Sequence, residues 1–168
     1  MHARKIFMNS PLVQPTVARM RVPRLYHSTA ILLADGRVMT AGNDHDYNMP
    51  PFNYAELRLE LFSPSYLLRG PRPVITNAPA QIAYASAFTV RTPEATSIAS
   101  AALLRPGAVT HSLNMDQRYV GLAIQSRTAQ SLTLKAPPDG YVAPPGYYML
   151  FLVNGAGVPS VGRFVRLA

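Results

Sequence analysis

The last hundred residues of the chain consist of short apolar segments separated by turn signals at nearly regular intervals. The segments are rich in Val, Leu, Ala, Ser, Thr and Tyr, and Pro, Gly and Asn recur between them, which is the pattern of many short strands. We predict seven strands: Val74 to Asn77, Ala83 to Val90, Ile98 to Leu104, Tyr119 to Ile124, Ser131 to Ala136, Tyr147 to Val153 and Ser160 to Leu167. Seven strands over this length are typical of an immunoglobulin-like β-sandwich. Tyr147 or Tyr148 is placed to form the tyrosine corner of such a sandwich.

The composition excludes several classes of protein. The chain has 168 residues, of which 48% are apolar, so it is expected to fold, and no convincing amphipathic helix is present. The absence of Cys excludes disulfides, thiolate metal sites and cysteine nucleophiles within this chain. No apolar run is long enough to span a bilayer and no signal peptide is visible, so no membrane partner is expected. The formal charge of +8 comes from scattered basic residues, and no nucleic-acid partner is expected.

The first third of the chain is a separate, smaller unit. Residues 1–23 contain three prolines and are expected to be a linker, with Val17 to Val22 as an edge strand. Leu25 to Leu33 and Val38 to Ala41 are predicted to pair as a hairpin around Gly36, at a position that needs positive φ. Ala55 to Phe62 alternates, which predicts a strand with a buried leucine face. Three prolines and a glycine in Ser63 to Pro73 indicate a boundary between units.

Tyr26 and His27 are adjacent where the proline-containing leader gives way to the first strand. A phenol oxygen and an imidazole nitrogen are both metal donors. Neighbouring side chains of a strand point to opposite faces, so the two could share one ion only if the backbone departs from a strand there. The alternative is a strand-end pair without a ligand. His111 is either a second ligand or an exposed loop residue, and His45 is expected to be structural.

Several ordered stretches resemble the copper radical oxidase family, which includes galactose oxidase and glyoxal oxidase. They are RVPRLYHSTAILLADGRV at 21–38, FSPSYL at 62–67, THSLNMDQR at 110–118, PGYYMLF at 145–151 and NGAGVPS at 154–160. The region 53–56, without a cysteine pair, is more similar to the glyoxal oxidase-like branch. The resemblance implies an all-β chain in which 1–23 is a linker or propeller edge, 24–68 is the last blade of a seven-bladed kelch-type propeller, and 71–168 is an early-set immunoglobulin-like sandwich.

The same resemblance implies a copper site. Tyr26 corresponds to the axial ligand and general base, and His27 and His111 correspond to the two equatorial histidines, on a Cu²⁺ that acts on a primary alcohol or aldehyde with O₂ and yields H₂O₂. The family's Tyr-Cys radical cofactor is not encoded here, so the chain alone is expected to be inactive, and its partners are the missing propeller blades. The parent protein is expected to be extracellular or periplasmic.

Two further expectations concern the surroundings of His111 and the function as a whole. Asp116 and Arg118 are expected to pair and to fix the loop that carries His111, although a substrate-binding role is the alternative. A non-catalytic immunoglobulin-like module that binds carbohydrate or a protein partner is the alternative function, and in that case the histidines have no role.

Overall fold

The computed structural model describes residues 19–24, 27–42, 56–111 and 113–168. These residues form strands, turns and two short 3-10 helices, at Ser65–Leu68 and Ala95–Ser97. The strands are β1 (Thr29–Leu32), β2 (Val38–Ala41), β3 (Glu60–Phe62), β4 (Gln81–Ile82), β5 (Ala87–Arg91), β6 (Ile98–Leu104), β7 (Val109–Thr110), β8 (Leu113–Asn114), β9 (Tyr119–Leu122), β10 (Ile124–Arg127), β11 (Ser131–Lys135), β12 (Gly146–Asn154) and β13 (Arg163–Leu167). The prediction of an all-β chain with a sandwich is confirmed.

Two sheets enclose the main core. One has five strands in the order β4-β13-β12-β6-β9, and the other has three in the order β10-β11-β5. The side chains between them are almost all aliphatic, and the most deeply buried include Val90, Leu103, Leu132, Leu134, Leu150, Leu152, Val165 and Leu167. Burying such side chains is the main source of stability for a domain of this size.

The strand patterns follow from which faces are covered. In β5, Phe88 and Val90 are buried and their neighbours are exposed, because only one face of the three-stranded sheet is covered. In β12, by contrast, residues 148–152 are all buried. The outer face of β12 is covered in part by the backbone at Gly162, where a Cβ would lie 2.7 Å from the ring of Phe151.

The tyrosine corner is formed by Tyr148, whose hydroxyl donates a hydrogen bond of 2.7 Å to the carbonyl of Pro144. Tyr148 is fully buried, whereas Tyr147 on the opposite face is exposed. This contact anchors the start of β12 to the loop that precedes it, as in other sandwiches of this type.

The strand predictions for the sandwich are accurate in its centre and weaker at its edges. Ile98 to Leu104 has the predicted bounds. The segment predicted as Tyr119 to Ile124 instead divides at Ala123 into β9 and β10, which belong to different sheets. The prediction of a strand at Val74 to Asn77 is wrong, because this proline-flanked segment makes one isolated bridge, from Asn77 to Arg91.

The N-terminal unit is a three-stranded antiparallel sheet in the order β1-β2-β3. Gly36 has a φ of 82° in the turn between β1 and β2, as predicted, and its amide donates to the carbonyl of Leu33. The predicted strand from Leu25 is shorter in the structure and begins at Thr29. The predicted edge strand at Val17 to Val22 is also wrong for its described part, since residues 19–22 are not in a strand.

The prediction that the leucines of Ala55 to Phe62 form a buried face is wrong. Leu57 is 92% exposed, and Leu59 and Leu61 are also exposed, while Glu56 is buried. Glu56 turns inward because its carboxylate accepts hydrogen bonds from the backbone and side chain of Arg58. Within the described residues the leucine side has no covering layer, so a buried strand face did not form.

The part of the chain that the structure describes contains no helix of the length and apolar character needed to cross a bilayer.

Candidate metal centre

His27 lies in a turn two residues before β1, not within a strand. Its φ of 56° is in the left-handed region, which costs a residue with a Cβ about 1 to 2 kcal/mol. The backbone therefore departs from strand geometry at the point where the sequence argument required it to. Tyr26, the predicted axial ligand, lies outside the described residues.

His111 lies at the tip of a hairpin that extends from the sandwich. β7 and β8 pair through Val109 with Asn114 and Thr110 with Leu113, which makes His111 the first residue of a two-residue turn. Its φ of 51° is what the tight turns of such hairpins require at this position. The hairpin contacts β1.

The two histidines meet through their Nε2 atoms, which are 2.8 Å apart although 84 positions separate the residues in sequence. The ring centres are 4.4 Å apart and the planes are nearly perpendicular, at 81°. Two unprotonated nitrogens or two N–H groups would repel at this distance, so the rings either share one proton or face a common cation.

The ring positions fit a metal between them. Two nitrogens bound at about 2.0 Å with about 90° between the bonds lie about 2.8 Å apart, whereas a tetrahedral angle gives about 3.3 Å. A straight N–H···N bond of the observed length would put the ring centres about 5 Å apart, since each centre lies about 1.1 Å behind its nitrogen. The measured 4.4 Å is shorter and agrees with ring axes that converge on one centre. Imidazole nitrogens suit copper, zinc, iron and nickel.

Thr110 helps to orient the imidazole of His111. The Thr110 hydroxyl oxygen and His111 Nδ1 are 2.8 Å apart. When Nδ1–H donates to this oxygen, Nε2 carries the lone pair and points away as a ligand, which is the usual arrangement behind metal-bound histidine.

His27 is held by two residues to which sequence reasoning assigned no role, Gly42 and Arg24. Gly42 has a φ of 82°, and a Cβ there would lie 2.4 Å from the carbonyl oxygen of His27, so only glycine allows this close approach. The Arg24 side chain is 3% exposed, donates to the carbonyl of Gly42 and pairs with Glu60 at 3.4 Å. The signal for Gly42 in the sequence is its position directly after the predicted strand at 38–41.

The base of the His111 hairpin is fixed by Arg105 and not by the predicted pair. Asp116 forms its salt bridge with Arg105, at 2.7 Å from Nε, and the backbone amide of Arg105 donates to the carbonyl of Arg118. The guanidinium also lies 5.8 Å from the ring centre of Tyr148. The expected pair of Asp116 with Arg118 is wrong, because Arg105 reaches the carboxylate from the strand that leads into the hairpin.

Within residues 19–24, 27–42, 56–111 and 113–168, no group of three or more His, Cys, Asp or Glu side chains could hold a metal ion. His27 and His111 are thus a pair of nitrogen donors among the described residues. His45, like Tyr26, lies outside them.

The chain is similar to several known proteins. The family model described as galactose oxidase-like, early set domain matches residues 72–167. An aldehyde oxidase (GLOX) from Vitis pseudoreticulata is 41% identical over 160 residues, covering 87% of this chain and 30% of the oxidase. A galactose oxidase from Gibberella zeae is 36% identical over 154 residues, covering 87% of this chain and 22% of the oxidase.

A similar fold is found in a solved structure described as a novel fungal alcohol oxidase of the AA5 family in complex with copper. It is 33% identical to this chain with a TM-score of 0.80, and the match covers 90% of this chain and 32% of the alcohol oxidase chain. The chain thus spans less than a third of the length of each of these relatives. The matches to the oxidases begin outside the early-set region, since they include most of the N-terminal unit that carries His27.

Proposed function

Because this chain belongs to the galactose oxidase-like family of early-set domains, we propose that it forms the C-terminal part of a copper radical oxidase and supplies three of the copper ligands. His27 and His111 would hold the metal through two imidazole nitrogens, and Tyr26 would hold it through its phenol oxygen. The complete protein oxidises primary alcohols or aldehydes with O₂ and releases H₂O₂.

The observation that carries this proposal is the 2.8 Å contact between His27 Nε2 and His111 Nε2. His27 occupies a strained left-handed position, and such strain persists where the surrounding structure enforces it, often at functional sites. The two histidines come from different parts of the fold and are 84 positions apart in sequence. The copper in the related alcohol oxidase supports the choice of metal.

The residues of this chain have different roles at the site. His27 and His111 present their Nε2 atoms, and the Thr110 hydroxyl holds the His111 ring in place through Nδ1. Tyr26 accepts the hydroxyl proton of the substrate on its phenolate oxygen and so acts as the general base. Copper supplies the one-electron chemistry with O₂ when it is bound.

The organisation we propose follows the same family pattern. Residues 24–68 are the last propeller blade, 71–168 the early-set sandwich and 1–23 a linker or blade edge. The exposed leucines at 57, 59 and 61 support the blade assignment, because a blade buries its faces against its neighbours. The chain has no cysteine, so the Tyr-Cys radical cofactor belongs to the rest of the protein and this chain alone has no oxidase activity. We expect the complete protein to act outside the cytoplasm.

The test is Cu(II) titration by calorimetry combined with electron paramagnetic resonance (EPR) on His27→Ala, His111→Ala and the double variant. All proteins carry His2→Ala, because an amino terminus followed by histidine chelates Cu(II) by itself. Each single loss is expected to weaken Cu(II) binding at least about tenfold and to remove one nitrogen coupling from the spectrum.

His45→Ala is the matched control and should leave binding unchanged. Equal Cu(II) binding by the double variant and its parent would contradict the proposal. The alternative of a carbohydrate- or protein-binding module predicts instead that such binding survives the loss of both histidines.

A further inference from the structure

The two histidines belong to different parts of the fold, and the described hydrogen bonds join these parts at two places. One is the histidine contact itself. The other is at the far end of the β1–β2 hairpin, where the amide of Gly162 donates to the carbonyl of Ala34 at 2.7 Å and Arg72 forms a bridge. The hairpin is therefore held at both ends, and the position of His27 depends on the distant end.

Arg72 contacts three carbonyl groups from both parts. Nη1 donates to the carbonyl of Asp35 at 2.7 Å, in the turn between β1 and β2. Nε donates to Pro159 at 2.9 Å and Nη2 to Ser160 at 2.7 Å, in the sandwich. The planar guanidinium holds its donors in a fixed fork, which an ammonium group does not reproduce.

The neighbouring contacts limit how far the turn can move against Arg72. Tyr66 donates its hydroxyl to the carbonyl of Gly36, and a Cβ on Gly36 would meet the side chains of Leu67 and Tyr66 as well as Arg72. The segment that joins the N-terminal unit to the sandwich is attached to the sandwich next to Arg72, since Asn154 donates to the carbonyl of Pro71. Arg72 thus sits at the point where the chain passes from one part to the other.

Because the hairpin is long, a small rotation of its turn at Arg72 causes a large displacement of His27 at the metal. From Ala34 back to His27 the chain covers about 20 Å, at about 3.3 Å per residue. A rotation of about 6° at the turn would therefore move His27 by about 2 Å, which equals a metal–nitrogen bond length. A metal site tolerates errors of only about 0.5 Å in its ligands.

We propose that Arg72 is a positioning residue for the metal centre: by bridging Asp35 to Pro159 and Ser160, it sets the separation of His27 from His111. This inference rests on the proposed copper site, since it concerns how that site is held. Arg72 does not touch the metal, the substrate or either histidine.

Arg72→Lys tests the inference because it keeps the positive charge and removes the planar set of guanidinium donors. Cu(II) affinity and EPR are measured in the His2→Ala background, at a temperature where the far-UV circular dichroism of the variant matches that of the parent. The variant is expected to bind Cu(II) about tenfold more weakly and to show altered nitrogen coupling, as for other residues that orient ligands. Arg91→Lys makes the same exchange at an exposed position of β5 and should change neither measurement.

Parental affinity and an unchanged spectrum in Arg72→Lys would overturn the inference. Failure of the parent itself to bind Cu(II) through its histidines would instead refute the proposed function, so the two failures can be told apart. Arg72→Gln, an uncharged variant that keeps amide donors, replaces Arg72→Lys if the latter does not fold. Loss of the sandwich fold in both variants would also overturn the inference, because it would make Arg72 a general stability residue.

Discussion

Gly42→Ala should damage the metal centre by displacing the backbone of His27. The new Cβ would lie 2.4 Å from the carbonyl oxygen of His27, where Cβ contacts below 3.0 Å are essentially never seen. The carbonyl must therefore retreat by about 0.6 Å, which exceeds the error of about 0.5 Å that a ligand position tolerates. The left-handed φ of 82° adds about 1 kcal/mol of strain.

The expected result is Cu(II) affinity lowered about tenfold, which corresponds to about 1.4 kcal/mol. The assay is calorimetric titration with Cu(II), again in the His2→Ala background. Thermal unfolding of the apoprotein should shift by more than the about 2 to 4 °C that strain of about 1 kcal/mol causes in a chain of this length, because the backbone at His27 must also move.

Gly157→Ala is the matched control. Gly157 also has a left-handed φ, of 76°, but its Cβ would meet the flexible end of Arg69 at 3.3 Å, in the sandwich. Both variants carry the φ strain, but only Gly42→Ala displaces the backbone at His27, so only Gly42→Ala should lose Cu(II) affinity. Equal Cu(II) affinity in both variants would refute the reasoning that Gly42 positions His27.

Two further predictions concern stability. Tyr148→Phe removes the hydrogen bond to Pro144 and should lower the free energy of unfolding by about 1 to 2 kcal/mol in urea titrations. Tyr147→Phe, at an exposed position, should have no effect. Equal losses in the two variants would contradict the assignment of Tyr148 as the tyrosine corner. The hydrogen bonds from Arg58 lower the pKa of Glu56 to about 2, so this carboxylate stabilises the fold above its ordinary pKa of 4.5 and loses that contribution as the pH falls towards 2. Glu56→Gln should therefore destabilise the protein at pH 6 and much less at pH 2.5 in urea titrations, and an equal effect at both pH values would contradict the assignment.

The sandwich could be predicted from the sequence because its strands satisfy local rules. Residues 98–104 and 131–135 are apolar segments of strand length between turn signals, and one face of the second is buried by alternation. Tyr148 could be proposed as the tyrosine corner from its place after Pro144-Pro145-Gly146. These features depend on residues that are near neighbours in sequence, so the sequence pattern is sufficient to predict most of them.

The features that sequence reasoning missed depend on residues far apart. The alternation at Leu57 predicts a buried face, yet burial needs a second layer, and the pattern does not reveal whether one is present. Asp116 has an arginine two residues away, but it pairs with Arg105 because the hairpin brings the strand before it alongside. Tyr26 and His27 could be singled out as donors by residue type, whereas the approach of Gly42 to His27 appears only once β2 is folded onto β1.

The separation of 84 residues between the paired histidines also has a consequence for folding. Joining two points so far apart restricts the unfolded chain, and closing a loop of this length costs about 4.6 kcal/mol of entropy. A metal held by both rings would act as a reversible cross-link, comparable to a disulfide in a chain that has no cysteine. Because His27 and His111 come from different parts of the fold, a metal bound by both rings would require both parts to be folded and in contact, so metal binding would be coupled to folding.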